Sequence, residues 1–93
     1  MKLPVNYNEI STSKRREVRE EYIKIQKGIC MYCNNPLQSE PSKEIKSKKI
    51  TPSLYPPNFF KWPVHLHHDH ISGITKGAIH NYCNAVMWEY NDE

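Results

Sequence analysis

All five histidines of this chain lie between His65 and His80. Most belong to the run LHHDHISGITKGAIHNYCN, from Leu66 to Asn84, which adds Asp69 and a closing Cys83-Asn84 pair. Upstream, Cys30-Met31-Tyr32-Cys33 supplies a second pair of metal-type ligands. Cys30 and Cys33 are spaced C-x2-C, and His80 and Cys83 are spaced H-x2-C. Two such pairs make the Cys3His ligand set of a tetrahedral structural zinc, because an x2 spacing lets both members of a pair turn toward one ion. The bland alternative is buried free thiols beside a surface histidine. It is weakened because one site accounts for all three cysteines.

His65, His67, His68, Asp69 and His70 are left over by that zinc. His65 alone reads as a satisfied polar residue on a strand. The group reads as an open site, since a neutral imidazole titrating near neutrality can take a proton from water and can also hold a divalent ion.

The chain that positions these residues is short and polar. Its 93 residues fit one domain, and 38% hydrophobic content builds a limited core. The mean hydropathy of −0.79 points the same way. A metal cross-link from Cys33 to His80 would then contribute much of the folding free energy. An odd cysteine count with a CxxC spacing argues for metal in a reducing compartment and against a disulfide framework. No apolar run approaches the roughly 20 residues that cross a bilayer, and the start, MKLPVNYNEISTSK, has no apolar signal core. The chain therefore reads as soluble, intracellular and cytoplasmic, with no membrane partner. The formal charge of +3 is mildly basic and suits a polyanion partner without requiring one.

Residues 1–12 read as an irregular lead-in. A helix is expected over 13–27, with Ser13 as N-cap, Glu17 and Glu20 early, Lys24 and Lys27 late, and Gly28 as the stop. Its apolar stripe is Val18, Tyr22, Ile25 and Ile29. Lys14, Arg15, Arg16 and Arg19 crowd its start, as a solvated face or as phosphate contacts. Residues 38–63 read as an irregular insertion, with prolines at 41, 52, 56, 57 and 63 and a short strand near Ile50. Phe59, Phe60 and Trp62 at its end are read first as cover for the core and second as a stacking surface for bases. Val64 to His68 reads as a strand with Val64, Leu66 and His68 on one face. Ser72-Gly73 is a turn and Ile74–Ile79 a second strand. A closing helix runs from Ile79 to about Tyr90, with Val86, Met87 and Tyr90 inward.

On these residues the chain resembles the phage recombination endonuclease VII family, part of the wider HNH (ββα-metal) nucleases. That family's pattern runs apolar, Asp, His, Asp, His, a turn with Gly, Arg-Gly, then Cys-x-x-Cys-Asn. Here the same frame reads, without a gap, Leu66, His67, His68, Asp69, His70, Gly73, Lys76, Gly77, His80, Cys83 and Asn84. Gln26-Lys27-Gly28-Ile29-Cys30 also matches the family's helix, glycine and first cysteine. The resemblance covers about residues 18–36 and 64–88 and leaves out the lysine- and proline-rich middle.

The resemblance implies an α+β, small ββα-metal (HNH) fold with an N-terminal helix and a structural zinc knuckle, as a single domain over 1–93 with its ββα core at 64–90. It implies a DNA endonuclease leaving 5′-phosphate and 3′-hydroxyl ends. His68 takes the place of the general base and Asn84 that of the metal-binding Asn. His67 falls where the family has its metal-binding Asp, with Asp69 and His70 in support. Lys76 replaces an Arg as a DNA contact, and the basic run Lys43, Lys46, Lys48 and Lys49 is the further candidate for DNA. His67 and Asn84 would hold a catalytic divalent ion, Mg²⁺ or, since imidazole replaces carboxylate, Mn²⁺, Ni²⁺ or Co²⁺. Colicin-type HNH nucleases are similar in carrying a His-His pair there. A frame shifted by two, with Asp69 as ligand and His70 as base, is the competing assignment. A zinc-stabilised DNA-binding module without chemistry is the competing function, and a homodimer through the N-terminal helix stays open.

Overall fold

The computed structural model describes residues 1–91. The chain is α+β, with a two-stranded antiparallel sheet and three helices. Helix α1 spans Thr12–Ile25, α2 is the short Lys43–Lys46, and α3 is Asn81–Asn91; strands β1 and β2 are Val64–His68 and Thr75–His80.

Helix α1 starts one cap earlier than Ser13, because the Ser11 hydroxyl accepts the Lys14 amide at 3.2 Å. Val18 and Tyr22 are its buried positions. Ile25, expected on the same stripe, is 60% exposed. It is the last residue of the helix: beyond it Lys27 and Gly28 take positive φ of 57° and 76° and turn the chain into the cysteine knuckle. Gln26 ties this corner to the sheet. Its amide donates to the carbonyls of Ile29 (2.7 Å) and Ala78 (3.0 Å), and its Oε1 accepts the Ala78 amide at 2.8 Å. Gly77 makes room for it, since a Cβ there would lie 2.8 Å from Gln26 Oε1.

Strand β1 matches its expected bounds, but a bulge between His67 and His68 breaks the simple alternation. The core gathers Val18 and Tyr22 from α1, Cys30 and Leu37 from the knuckle, Ile45 from α2, Leu66, Ala78 and Ile79 from the sheet, and Cys83, Val86 and Met87 from α3. Tyr90, expected inward, is half exposed and donates its hydroxyl to the Lys49 carbonyl at 2.6 Å.

The 38–63 segment holds no strand at Ile50. It contains α2 and a 3-10 turn at Pro52–Leu54. Helix α3 clamps it: Tyr82 donates to the Lys48 carbonyl at 2.6 Å, and Glu89 accepts the Thr51 amide and, at 2.6 Å, the Tyr55 hydroxyl. Those two donors hold the Glu89 carboxyl below its ordinary range, while burial and the Glu89 charge push the Tyr55 phenol up. Phe59, Phe60 and Trp62 do not cover the core; Tyr55, Phe59, Phe60 and Trp88 form a separate aromatic cluster outside it.

Residues 5–8 are more than a lead-in. They clip onto the β1–β2 turn: Thr75 N donates to Val5 O (2.9 Å), Tyr7 N to Gly73 O (2.8 Å), and the Asn6 amide to Ser72 O (3.2 Å). Gly73 has φ of 80°, and a Cβ there would lie 2.5 Å from Asn6 Oδ1, so this turn accepts only glycine.

Candidate functional site

Two sites meet at the start of α3, one through Cys83 and the other through Asn84. The first is the Cys3His group. One ligand atom from each of Cys30, Cys33, His80 and Cys83 lies within 4.8 Å of the others. His80 Nδ1 is 3.4 Å from Cys33 Sγ and 3.7 Å from Cys83 Sγ. Ideal Zn–S and Zn–N bonds in a tetrahedron put sulfur and nitrogen about 3.6 Å apart. The other ring nitrogen, Nε2, donates toward the carbonyls of Pro36 (3.0 Å) and Ser39 (2.9 Å), which fixes the tautomer with the Nδ1 lone pair toward the sulfurs. Asn34, at φ of 67°, closes the knuckle: its amide donates to Cys30 O and the Cys30 amide to Asn35 O. The Cys83 thiol and nearby backbone amides push Cys30 down to about 4, and the same contact with Cys30 pushes Cys83 up. Zinc binding would need both sulfurs as thiolates. The donors fit a structural zinc, and the four residues could hold one.

The second site is a cleft of about 560 Å³ along the free edge of β1. One wall is α1, with Arg15, Arg16 and Arg19. The other walls carry His65, His68, His70 and Asn84, with Tyr7, Phe59 and Trp62 at its margins. Among the described residues no aspartate or glutamate lines it. A smaller cleft of about 150 Å³, lined by Leu54, Tyr55 and Trp88, shares Phe59, His70 and Asn84 with the first.

His68 stacks flat on Tyr7, with ring centroids 3.9 Å apart and planes 7° from parallel. Arg15 covers the far face of this stack, its guanidinium carbon 3.8 Å from the Tyr7 ring and its Nε donating to Tyr7 O at 3.0 Å. Burial, above all, lowers the His68 pKa, with the His70 and Arg15 charges acting the same way. His68 is therefore neutral at pH 7. A backbone hydrogen bond with Leu66 opposes that shift, and the His68 ring lines the cleft.

His65 and Asn84 form a second unit. His65 Nε2 donates to the Phe59 carbonyl at 2.8 Å, so its Nδ1 accepts from Asn84 Nδ2 at 3.1 Å. This orients the Asn84 amide and leaves its oxygen for a ligand. Burial holds the His65 pKa down as well.

The sequence-expected set therefore divides. His68, His70 and Asn84 meet in the cleft. His67 is 2% exposed and lines neither cleft. Asp69 serves the turn: its carboxylate accepts the Ser72 amide at 2.7 Å, which holds its pKa down. Lys76 is exposed on β2 outside both clefts. Lys43, Lys46, Lys48 and Lys49 are also outside them; Lys46 pairs with Glu40 at 2.9 Å, and Lys48 lies over the Tyr90 ring. The sequence reading took His65 alone as a satisfied polar residue on a strand and did not single out Tyr7. The Val-His-Leu alternation could have shown His65 on a face apart from Leu66, but nothing in the local sequence ties Tyr7 to a residue 61 positions later.

Compared with known proteins, the chain matches no family model, no curated protein and no solved structure. No helix among the described residues is long and apolar enough to cross a membrane.

Proposed function

We propose that the protein is an HNH-type endonuclease that hydrolyses DNA phosphodiesters in the arginine-lined cleft. One observation carries this reading: a neutral, half-buried imidazole, His68, opens onto a cleft with three arginines and, among the described residues, no carboxylate. The arginines hold the phosphate and offset the charge that builds on it. His68 takes a proton from water; the water oxygen bonds to phosphorus, and the bond to the 3′ oxygen breaks. The products are a 5′-phosphate and a 3′-hydroxyl.

The donors among the described residues do not fit Mg²⁺, which wants carboxylate oxygens, and none of these lines the cleft. Imidazole and the Asn84 amide suit Mn²⁺, Ni²⁺ or Co²⁺, and such an ion would supply positive charge beside the leaving oxygen. His67 is outside the cleft, and the Cys3His set is the only group of three or more close ionisable donors among the described residues. That favours, as a second reading, a zinc-stabilised module that holds DNA without cutting it.

Plasmid nicking separates the two. Wild-type protein is assayed without added divalent ion, with Mg²⁺ and with Mn²⁺, beside His68→Ala. Nicking is expected with Mn²⁺ above Mg²⁺, and a loss of about 10²- to 10⁴-fold on removal of the base. No nicking under any condition, or equal nicking by His68→Ala, overturns the nuclease reading.

A further inference from the structure

Both tryptophans of the chain line the joined clefts that also hold the three arginines, Trp62 the larger and Trp88 the smaller. They are 58% and 40% exposed. Neither belongs to the core or to the apolar side chains packed against it. Trp88 is propped edge-on by Tyr55 at 5.9 Å, and Tyr55 in turn packs on Phe59 at 4.5 Å. The Lys61 ammonium lies 5.3 Å from the Trp62 ring. Large aromatic faces left in water are expensive, and here they are held in place by a scaffold that does not bury them. Asn81 sets the position of the Trp62 segment, donating its side-chain amide to the carbonyls of Phe60 (3.2 Å) and Trp62 (3.0 Å).

A cleft with cationic and aromatic walls matches the two chemistries of a nucleotide chain, phosphate and base face. In a duplex the base faces are stacked on one another, and only phosphates and groove edges point outward. An aromatic wall therefore gains nothing from a duplex and a stacking contact from every unpaired base. The cleft's volume is that of a nucleotide-sized ligand site.

We propose that the joined clefts take single-stranded nucleic acid, with bases stacked on Trp62 and Trp88 and phosphates on Arg15, Arg16 and Arg19. This names the substrate class of the site read above as phosphodiester-binding, and it rests on that reading for the phosphate at the arginine wall.

Because the only two tryptophans are at the proposed contact, their fluorescence reports it directly, without catalysis. Wild-type protein with no added divalent ion is titrated with oligo-dT, oligo-rU and a blunt hairpin duplex. Single strands are expected to quench the emission and to bind at least tenfold more tightly than the duplex. Trp62→Ala is expected to weaken single-strand binding by about tenfold without changing its salt dependence, and Trp62→Phe to restore most of it. Zinc content and the thermal transition of each variant check that the fold is intact, which the exposure of Trp62 makes the expected result. A difference between oligo-dT and oligo-rU tells DNA from RNA as the source of the single strand. Equal quenching and affinity for the duplex, or Trp62→Ala binding like wild type, overturns the proposal. Quenching without nicking leaves it standing and removes the nuclease reading. Nicking of a duplex without quenching overturns it and keeps the nuclease reading.

Discussion

Cys83 and Asn84 are neighbours in sequence, and α3 sends one to the cysteine cluster and the other to the cleft, about 100° apart around its axis. The two sites they join are built in opposite ways. The cluster is closed: its four donors are mutually in reach, Cys30 and Cys83 are fully buried, and His80 has its outer nitrogen occupied. The cleft is open. Its groups come from α1, the 38–63 segment, β1 and α3, and burial lowers the pKa of His65 and His68. The contrast teaches that a small chain can place all its covalent-grade strength in one site and leave the other free to receive a ligand.

The largest expected effect breaks the closed site. Cys83→Ser removes a zinc ligand, and structural zinc in small domains contributes about 10–16 kcal/mol, as much as a whole domain's stability. The variant is expected to lose bound zinc and its cooperative thermal transition together, read by elemental analysis and circular dichroism. If it keeps a sharp transition without zinc, the cluster is not what holds this fold.

The next effect sharpens the open site. His68 has a folded-state pKa below 6.5, so the base form is present at neutral pH and is lost as pH falls through that lower value. The acid limb of the nicking rate is expected to have its midpoint below 6.5, with a flat region above it. Stability follows the same direction: the unfolded chain binds this proton more readily, so the contribution is full above 6.5 and declines as pH falls toward the folded value. A midpoint above 6.5 would rule out His68 in this role.

The smallest effect compares two sets of cations. Arg16→Ala is expected to reduce the slope of log affinity against log salt by about one, and Lys43→Ala to leave it unchanged. The reverse result would move the nucleic-acid surface from the cleft to the insertion.

The closed site was legible in the sequence because its ligands come in local pairs, and an x2 spacing encodes a shared direction without knowledge of the fold. The strands and α3 were legible within a residue or two for the same reason. The open site was legible only in part. His68, His70 and Asn84 were found, but His67 was expected where His65 stands. The bulge between His67 and His68 is a property of strand pairing and not of local sequence, and it decides which imidazoles reach the cleft edge. The cluster Lys14, Arg15, Arg16 and Arg19 was read as a solvated face or as phosphate contacts, and the cleft brings its three arginines beside the histidines. The aromatic segment was read as core cover because hydropathy does not tell which side of a molecule a ring is on.

The knuckle carries a cost in time. Cys33 and His80 are 47 residues apart in the chain. At ordinary synthesis rates of 5–20 residues per second, roughly 2–10 s pass between the emergence of the first ligand pair and the second. During that interval Cys30 and Cys33 form a bare dithiol on a nascent chain that has no core to hide it. Tyr7 waits longer still for Gly73 to receive it. A ribosome that pauses within the proline-rich insertion would lengthen the exposure, so the yield of correctly metallated protein should depend on the redox state of the host and the speed of translation.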